Sequence, residues 1–112
     1  MEKDNFAYLK LILDSVRKIK EYISGMNFVK FTKDGKTQSA VTMQLQIIRE
    51  LVKKIPEEIK LNIALPWKEM AGMRDMVSHD YFSLDLETIW NTATKDVPEV
   101  ESKISEFLIN IS

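Results

Sequence analysis

Arg74, His79 and Tyr81 fall within eight residues, in the run Arg74-Asp75-Met76-Val77-Ser78-His79-Asp80-Tyr81. His79 is the only histidine of the chain. Its side chain is the one whose ordinary pKa lies near neutrality, so it is the natural group to move a proton at physiological pH. Arg74 supplies a permanent positive charge on a planar fork of donors, which suits the charge that develops on a phosphodiester in its transition state. Read alone, a single histidine is more often structural, capping a helix end or making a local hydrogen bond. The arginine beside it shifts the balance towards chemistry. Asp75, Ser78 and Asp80 are candidate supporting residues: the carboxylates could orient His79 or raise its pKa, and serve equally well as solvated helix-end charges. Tyr81 reads with equal weight as a reactive phenol or as a ring on the core with a wet hydroxyl.

Other chemistries find no residues. One histidine with scattered carboxylates offers no metal-ligand spacing, and no cofactor is expected. Three isolated glycines cannot form a phosphate loop. Ser78 is no serine nucleophile, because adjacent helical residues diverge by about 100° and no strained elbow surrounds it. Met70, Met73 and Met76 fit a core or an interface.

Helices must position the run. The chain has 112 residues, 45% of them apolar, with only three Gly and three Pro, a composition that favours helix. Phe6, Leu9, Ile12, Leu13, Val16, Ile19, Tyr22 and Ile23 recur at three-and-four spacing and predict a first helix from Asn5 to about Ser24. Gly25 suits a left-handed C-terminal cap, and Asp34-Gly35 reads as a turn, so 25–36 is expected to connect antiparallel helices, anchored by Phe28, Val29 and Phe31. A second helix is predicted from Thr37 or Ser39 to Pro56, carrying Val41, Leu45, Ile48, Leu51, Val52 and Ile55. Residues 57–65 read either as a further helical turn or as a loop.

Leu65-Pro66-Trp67 resembles a helix start, and the third helix would carry Trp67, Met70, Ala71, Met73, Arg74 and Val77 into the run, with Gly72 allowing another helix to approach. Asp85 is the expected N-cap of a short helix with Leu86, Ile89 and Trp90, and Asp96-Val97-Pro98 is expected to open a last helix with Val100, Ile104, Phe107, Leu108 and Ile111. The expected fold is all-α, a single domain over 1–112 built as a bundle of four or five helices with antiparallel long members. In an unbroken helix, Arg74 and His79 point roughly 140° apart and Arg74 and Tyr81 about 20° apart. Convergence of Arg74 with His79 therefore needs a loosened helix end, a long reach by Arg, or a second copy of the chain across a two-fold axis.

Charge and targeting signals narrow the setting. Residues 1–74 hold 14 Lys and Arg against 9 Asp and Glu, while 75–112 hold 2 against 8. The basic part leaves room for an anionic ligand, and the near-neutral total argues against tight, sequence-independent nucleic-acid binding. There is no Cys, which a reduced compartment permits. The N-terminus lacks the apolar core of a signal peptide and no run is long enough to cross a bilayer, so the expected location is cytoplasmic.

Trp67-Lys68-Glu69-Met70-Ala71-Gly72-Met73-Arg74-Asp75, then His79-Asp80-Tyr81-Phe82, then Asp85-Leu86-Glu87-Thr88-Ile89-Trp90 resembles the core of the HepT-like group of HEPN-domain proteins. That group shows Arg, four variable residues, His, one variable residue and Tyr. The resemblance runs more loosely over the whole chain, and departs at Arg49-Glu50, where relatives often have Gly-Glu, and at Asp75, where they often have Asn. It implies a helical bundle, a homodimer and a metal-independent endoribonuclease acting as the toxin of a toxin–antitoxin pair with an MNT-type nucleotidyltransferase antitoxin. By position, Arg74 and His79 would be the catalytic pair and Tyr81 the residue to which the antitoxin adds AMP. A second reading, a non-catalytic helical module that partners a nucleotidyltransferase, uses the same bundle without the chemistry.

Overall fold

The computed structural model describes residues 6–72 and 85–111. Every regular element among the described residues is a helix, with no strand among them, so the fold is all-α as expected.

Helix α1 spans Ala7–Ile23 and buries Leu9, Ile12, Leu13, Val16 and Ile19, the stripe that its spacing predicts. Beyond its end, Gly25 adopts φ +77°. That backbone costs a residue with a Cβ roughly 1–2 kcal/mol, and glycine avoids the cost. Helix α2 follows at Phe28–Thr32, where the sequence suggested only a connection. Asn27 caps it, its side chain accepting from the Lys30 N–H at 2.9 Å. Of the three expected anchors, Phe31 is completely buried, whereas Phe28 and Val29 are exposed.

Helix α3, Gly35–Val52, begins earlier than its apolar pattern indicates, because Asp34 is an N-cap and not part of a free turn. Its Oδ1 accepts from the Thr37 N–H at 3.0 Å and its Oδ2 from the Thr37 hydroxyl at 2.8 Å. These bonds, led by the backbone one, hold the Asp34 carboxyl below its ordinary value of 3.8. A depressed folded-state pKa gives stability that is present above 3.8 and lost as pH falls through the lower folded value. Asp34→Asn keeps an acceptor for the Thr37 N–H without titrating. It is therefore expected to flatten part of the stability loss below that pH, a difference readable in denaturant midpoints measured across the acid range.

Val41, Leu45, Ile48 and Val52 form the buried stripe of α3. Its helical pairing stops short of Pro56: the Lys54 and Ile55 N–H groups reach back only three residues, to Leu51 and Val52. A proline ring excludes helical backbone at the residue before it, so the last turn tightens and ends. Residues 57–65 then prove to be both of the expected alternatives, a single turn of helix, α4 (Glu57–Lys60), followed by a loop.

Helix α5 is Trp67–Ala71, and α6 is Leu86–Asn91. Asp85 caps α6 as anticipated, Oδ1 accepting from the Thr88 N–H at 3.2 Å and Oδ2 from the Thr88 hydroxyl at 2.8 Å. The last helix, α7, opens at Val97 as expected and runs to Ile111, and a π-helical turn, Thr92–Asp96, joins it directly to α6. The Val97 N–H pairs with the Thr92 carbonyl, five residues back. Proline clashes with the carbonyl four residues before it, and the wider turn accommodates Pro98 inside one continuous helical path.

The long helices pack antiparallel to α1. Phe6, at the start of α1, meets Phe107 near the end of α7 edge-on at 5.9 Å. Lys20 and Arg17 reach Glu101 at 2.6 and 3.6 Å. Lys54, just past α3, lies 5.7 Å above the Tyr8 ring at the start of α1. Side chains from α1 to α7 and the π turn meet in one core, with Phe31, Ile59, Ile89 and Ile104 fully enclosed. Among the described residues no helix is long and apolar enough to cross a membrane.

Candidate functional site

Arg74, Asp75, Ser78, His79, Asp80 and Tyr81 all lie in the interval 73–84, outside the described residues. The same holds for the continuation of the third helix through Met73 and Val77. The structure does describe the two abutments that carry this interval.

On the N-terminal side stands α5. Its Trp67 indole N–H is shared between the carbonyls of Lys60 at 3.1 Å and Ile63 at 3.0 Å, tying α5 to the turn after α4. The Lys103 ammonium of α7 donates to the Ala64 carbonyl at 2.6 Å in the same loop. Met70 points into the core, so α5 is fixed at both its first residue and its fourth. Gly72 ends the helix, its N–H bonded to the Lys68 carbonyl at 2.9 Å. A Cβ on Gly72 would stand 3.2 Å from that same carbonyl oxygen, and nothing else among the described atoms lies within 4 Å. Among the described residues, the close approach of another helix to Gly72 is not found.

On the C-terminal side, Asp85 starts α6, four residues after Tyr81 in the chain. Ile89 is fully buried, and Trp90 packs at 5.2 Å and 41° against Phe31, and at 6.3 Å and 50° against Phe28. The two abutments share a support, since α5 and α6 both lie against α3. On α3, Arg49 is largely buried and Glu50 is exposed, with Arg49 Nη2 3.6 Å from Glu50 Oε1. Lys53 also pairs with Glu50, at 3.3 Å, and these cations, Lys53 first, hold the Glu50 carboxyl below its ordinary range. Gln44 is buried, and its Oε1 finds no hydrogen-bond donor among the described residues.

Sequence reading anticipated the Asp85 cap and the Trp67 helix start. It missed the three-ring cluster of Phe28, Phe31 and Trp90, which joins residues about 60 positions apart, and the π turn, which has no mark in apolar period. Among the described residues, no group of three or more His, Asp or Glu is placed to hold a metal ion.

The sequence matches the family described as "Ribonuclease HepT-like" over residues 12–107. A protein of Thermococcus cleftensis named "Probable ribonuclease HepT" is 37% identical over 107 residues, 95% of this chain and 97% of that one. One from Caldanaerobacter subterraneus subsp. tengcongensis, named "Putative RNase", is 39% identical over 102 residues, covering 90% and 91% of the two chains. Another bearing that name, from Methanocaldococcus jannaschii, is 39% identical over 111 residues, covering 98% and 92%. No solved structure matches the chain. The family match takes in both abutments and the whole interval between them, and at such coverage the chain belongs to the HepT-like ribonuclease family.

Proposed function

We propose that this protein is a metal-independent endoribonuclease, the toxin of a toxin–antitoxin pair whose antitoxin is an MNT-type nucleotidyltransferase. The observation that carries the reading is family membership across 12–107, an interval that includes Arg74, His79 and Tyr81 in the order and spacing the family motif requires. The ribonuclease names of the relatives agree with it.

RNA holds its own nucleophile. The 2′-hydroxyl attacks the adjacent phosphorus, the 5′-oxygen of the next nucleotide leaves, and the products are a 2′,3′-cyclic phosphate and a 5′-hydroxyl. Two proton movements are required, one off the 2′-hydroxyl and one onto the leaving oxygen, while the phosphorane between them carries extra negative charge. Arg74 is assigned to that charge and His79 to a proton. One histidine cannot be base and acid in the same event. A homodimer with the run facing a shared cleft supplies a second His79, and also removes the difficulty that Arg74 and His79 diverge on one regular helix.

Tyr81 is assigned to control. Its phenolic oxygen would attack the α-phosphorus of ATP in the antitoxin's active site, releasing pyrophosphate and leaving AMP on the ring. The added phosphate repels an RNA phosphate, and the nucleoside fills the space beside it.

Purified protein is expected to cut single-stranded RNA in the presence of excess chelator and to leave cyclic-phosphate ends. Cleavage that stops when metal is removed would rule the mechanism out. After co-expression with an MNT-type nucleotidyltransferase, peptide mass spectrometry is expected to find AMP on Tyr81 and none in Tyr81→Phe.

A further inference from the structure

The segment 61–66 runs between two very short helices, α4 of four residues and α5 of five, neither of which can persist by its own hydrogen bonds. The carbonyls along it are occupied mostly from within. Those of Lys60 and Ile63 take the Trp67 indole, that of Leu65 takes the Trp67 N–H at 2.9 Å, and that of Pro66 takes the Met70 N–H at 2.9 Å. These donors belong to the same stretch of chain and would move with it. The Ala64 carbonyl is different, because its donor is the Lys103 ammonium of α7 at 2.6 Å, across a sequence separation of 39 residues.

That donor has a firm base. Val100 and Ile104, on either side of Lys103 in α7, are buried in the core. Glu99, one turn earlier on α7, stands 3.3 Å from the ammonium and orients it. A charged donor on a carbonyl makes a shorter and stronger bond than a neutral one. Ile59 and Ile63 are buried as well, so the segment stays on the core without Lys103. What the lysine adds is direction. The place of Ala64 sets the angle at which Pro66 enters α5, and the fixed φ of the proline ring passes that angle on. Helix α5 ends at Ala71, and Arg74 follows three residues later in the chain.

We propose that Lys103 is a positioning residue for RNA cleavage, holding through the Ala64 carbonyl the segment from which α5 leads into Arg74. The proposal rests on the ribonuclease reading for its effect on rate. It gives α7 a part in the reaction that lies 24 residues beyond His79 and outside the motif run.

Lys103→Met keeps the apolar stem and removes the donor, and two measurements on the full-length protein test it. In hydrogen exchange, the Met70 and Gly72 amides, which are bonded to Pro66 and Lys68 within α5, are expected to exchange about tenfold faster than in the wild type. In cleavage of a single-stranded RNA, kcat per folded molecule is expected to fall about tenfold with KM near the wild-type value, since a small displacement of a reacting group lowers the rate of the bound complex. Lys103→Arg still donates to a carbonyl and is expected to restore both readings. Lys20→Met, which breaks the Lys20 pair with Glu101 between α1 and α7, should leave both unchanged. An unaltered kcat in Lys103→Met, a raised KM at steady kcat, which would make Lys103 a phosphate contact, or an equal loss in Lys20→Met overturns the positioning role. The exchange rates keep the two readings apart. A wild type that cuts no RNA removes the nuclease reading while faster α5 exchange in Lys103→Met still reports the tie, and an active wild type with an indifferent Lys103→Met removes the positioning role alone.

Discussion

His79→Ala is expected to lower RNA cleavage by about 10²–10⁴-fold while leaving the helical circular dichroism and the unfolding midpoint near those of the wild type. The size follows from what is removed. A positioned acid or base contributes that range to a proton transfer, and the chain has no second histidine to substitute. Arg74→Ala is expected to lose about 10²–10³-fold, the range typical of a lost transition-state donor. The double substitution should lose far less than the product, because both groups serve one transition state. Arg74→Lys keeps the charge without the planar fork, and its rate should fall between the two. If a dimer presents one His79 as base and the other as acid, the pH profile of kcat/KM is bell-shaped and both limbs vanish in His79→Ala. A cleavage rate unaltered by either single substitution would return His79 to a helix-end role and leave the binding-module reading in its place.

The sequence carried the parts of the fold that are periodic and local. Helix α1 was legible because eight apolar residues keep one face, and the five at its centre are the ones that bury. Asp85 was legible as a cap because a carboxylate can satisfy the N–H two or three residues ahead. The same rule applied at Asp34 and was masked by Gly35, since Asp-Gly also makes a turn, and only the Thr37 bonds decide between them. The π turn left no trace, because it holds Pro98 by widening a helix whose apolar pattern continues on both sides. Of the proposed site the sequence offers residue types alone: Arg74, His79 and Tyr81 are unusual together, and all three lie outside the described residues. The frame that carries them was not legible, because a Trp67 indole shared by two carbonyls and a Trp90 ring seated on Phe31 are pairings between distant segments. No spacing rule reaches across 59 residues.

That last pairing leads to the largest expected effect on stability. Phe31→Ala is expected to cost about 3–5 kcal/mol, against a typical domain stability of about 5–15 kcal/mol. Phe31 is completely enclosed, so its removal leaves a cavity as well as losing apolar burial. Helix α2 has only five residues and cannot persist by its own hydrogen bonds. Its cap at Asn27 and the bond from Gln38 Nε2 to the Phe31 carbonyl at 2.8 Å hold backbone, and neither replaces the ring. Phe31→Leu refills most of the space and should lose much less.

The ring contact itself can be isolated. A double-mutant cycle combining Phe31→Leu with Trp90→Leu, read by denaturant unfolding, is expected to give a coupling of about 1 kcal/mol, the usual excess of an aromatic pair over its area. Strict additivity would mean that Trp90 is held by α3 and the core without Phe31. Activity per folded molecule then separates support from chemistry. If α6 holds the end of the motif interval through Trp90, Phe31→Leu lowers kcat even where the protein is fully folded. If α6 is held by Ile89 and the α7 continuation alone, kcat stays with the wild type and only the unfolding midpoint moves.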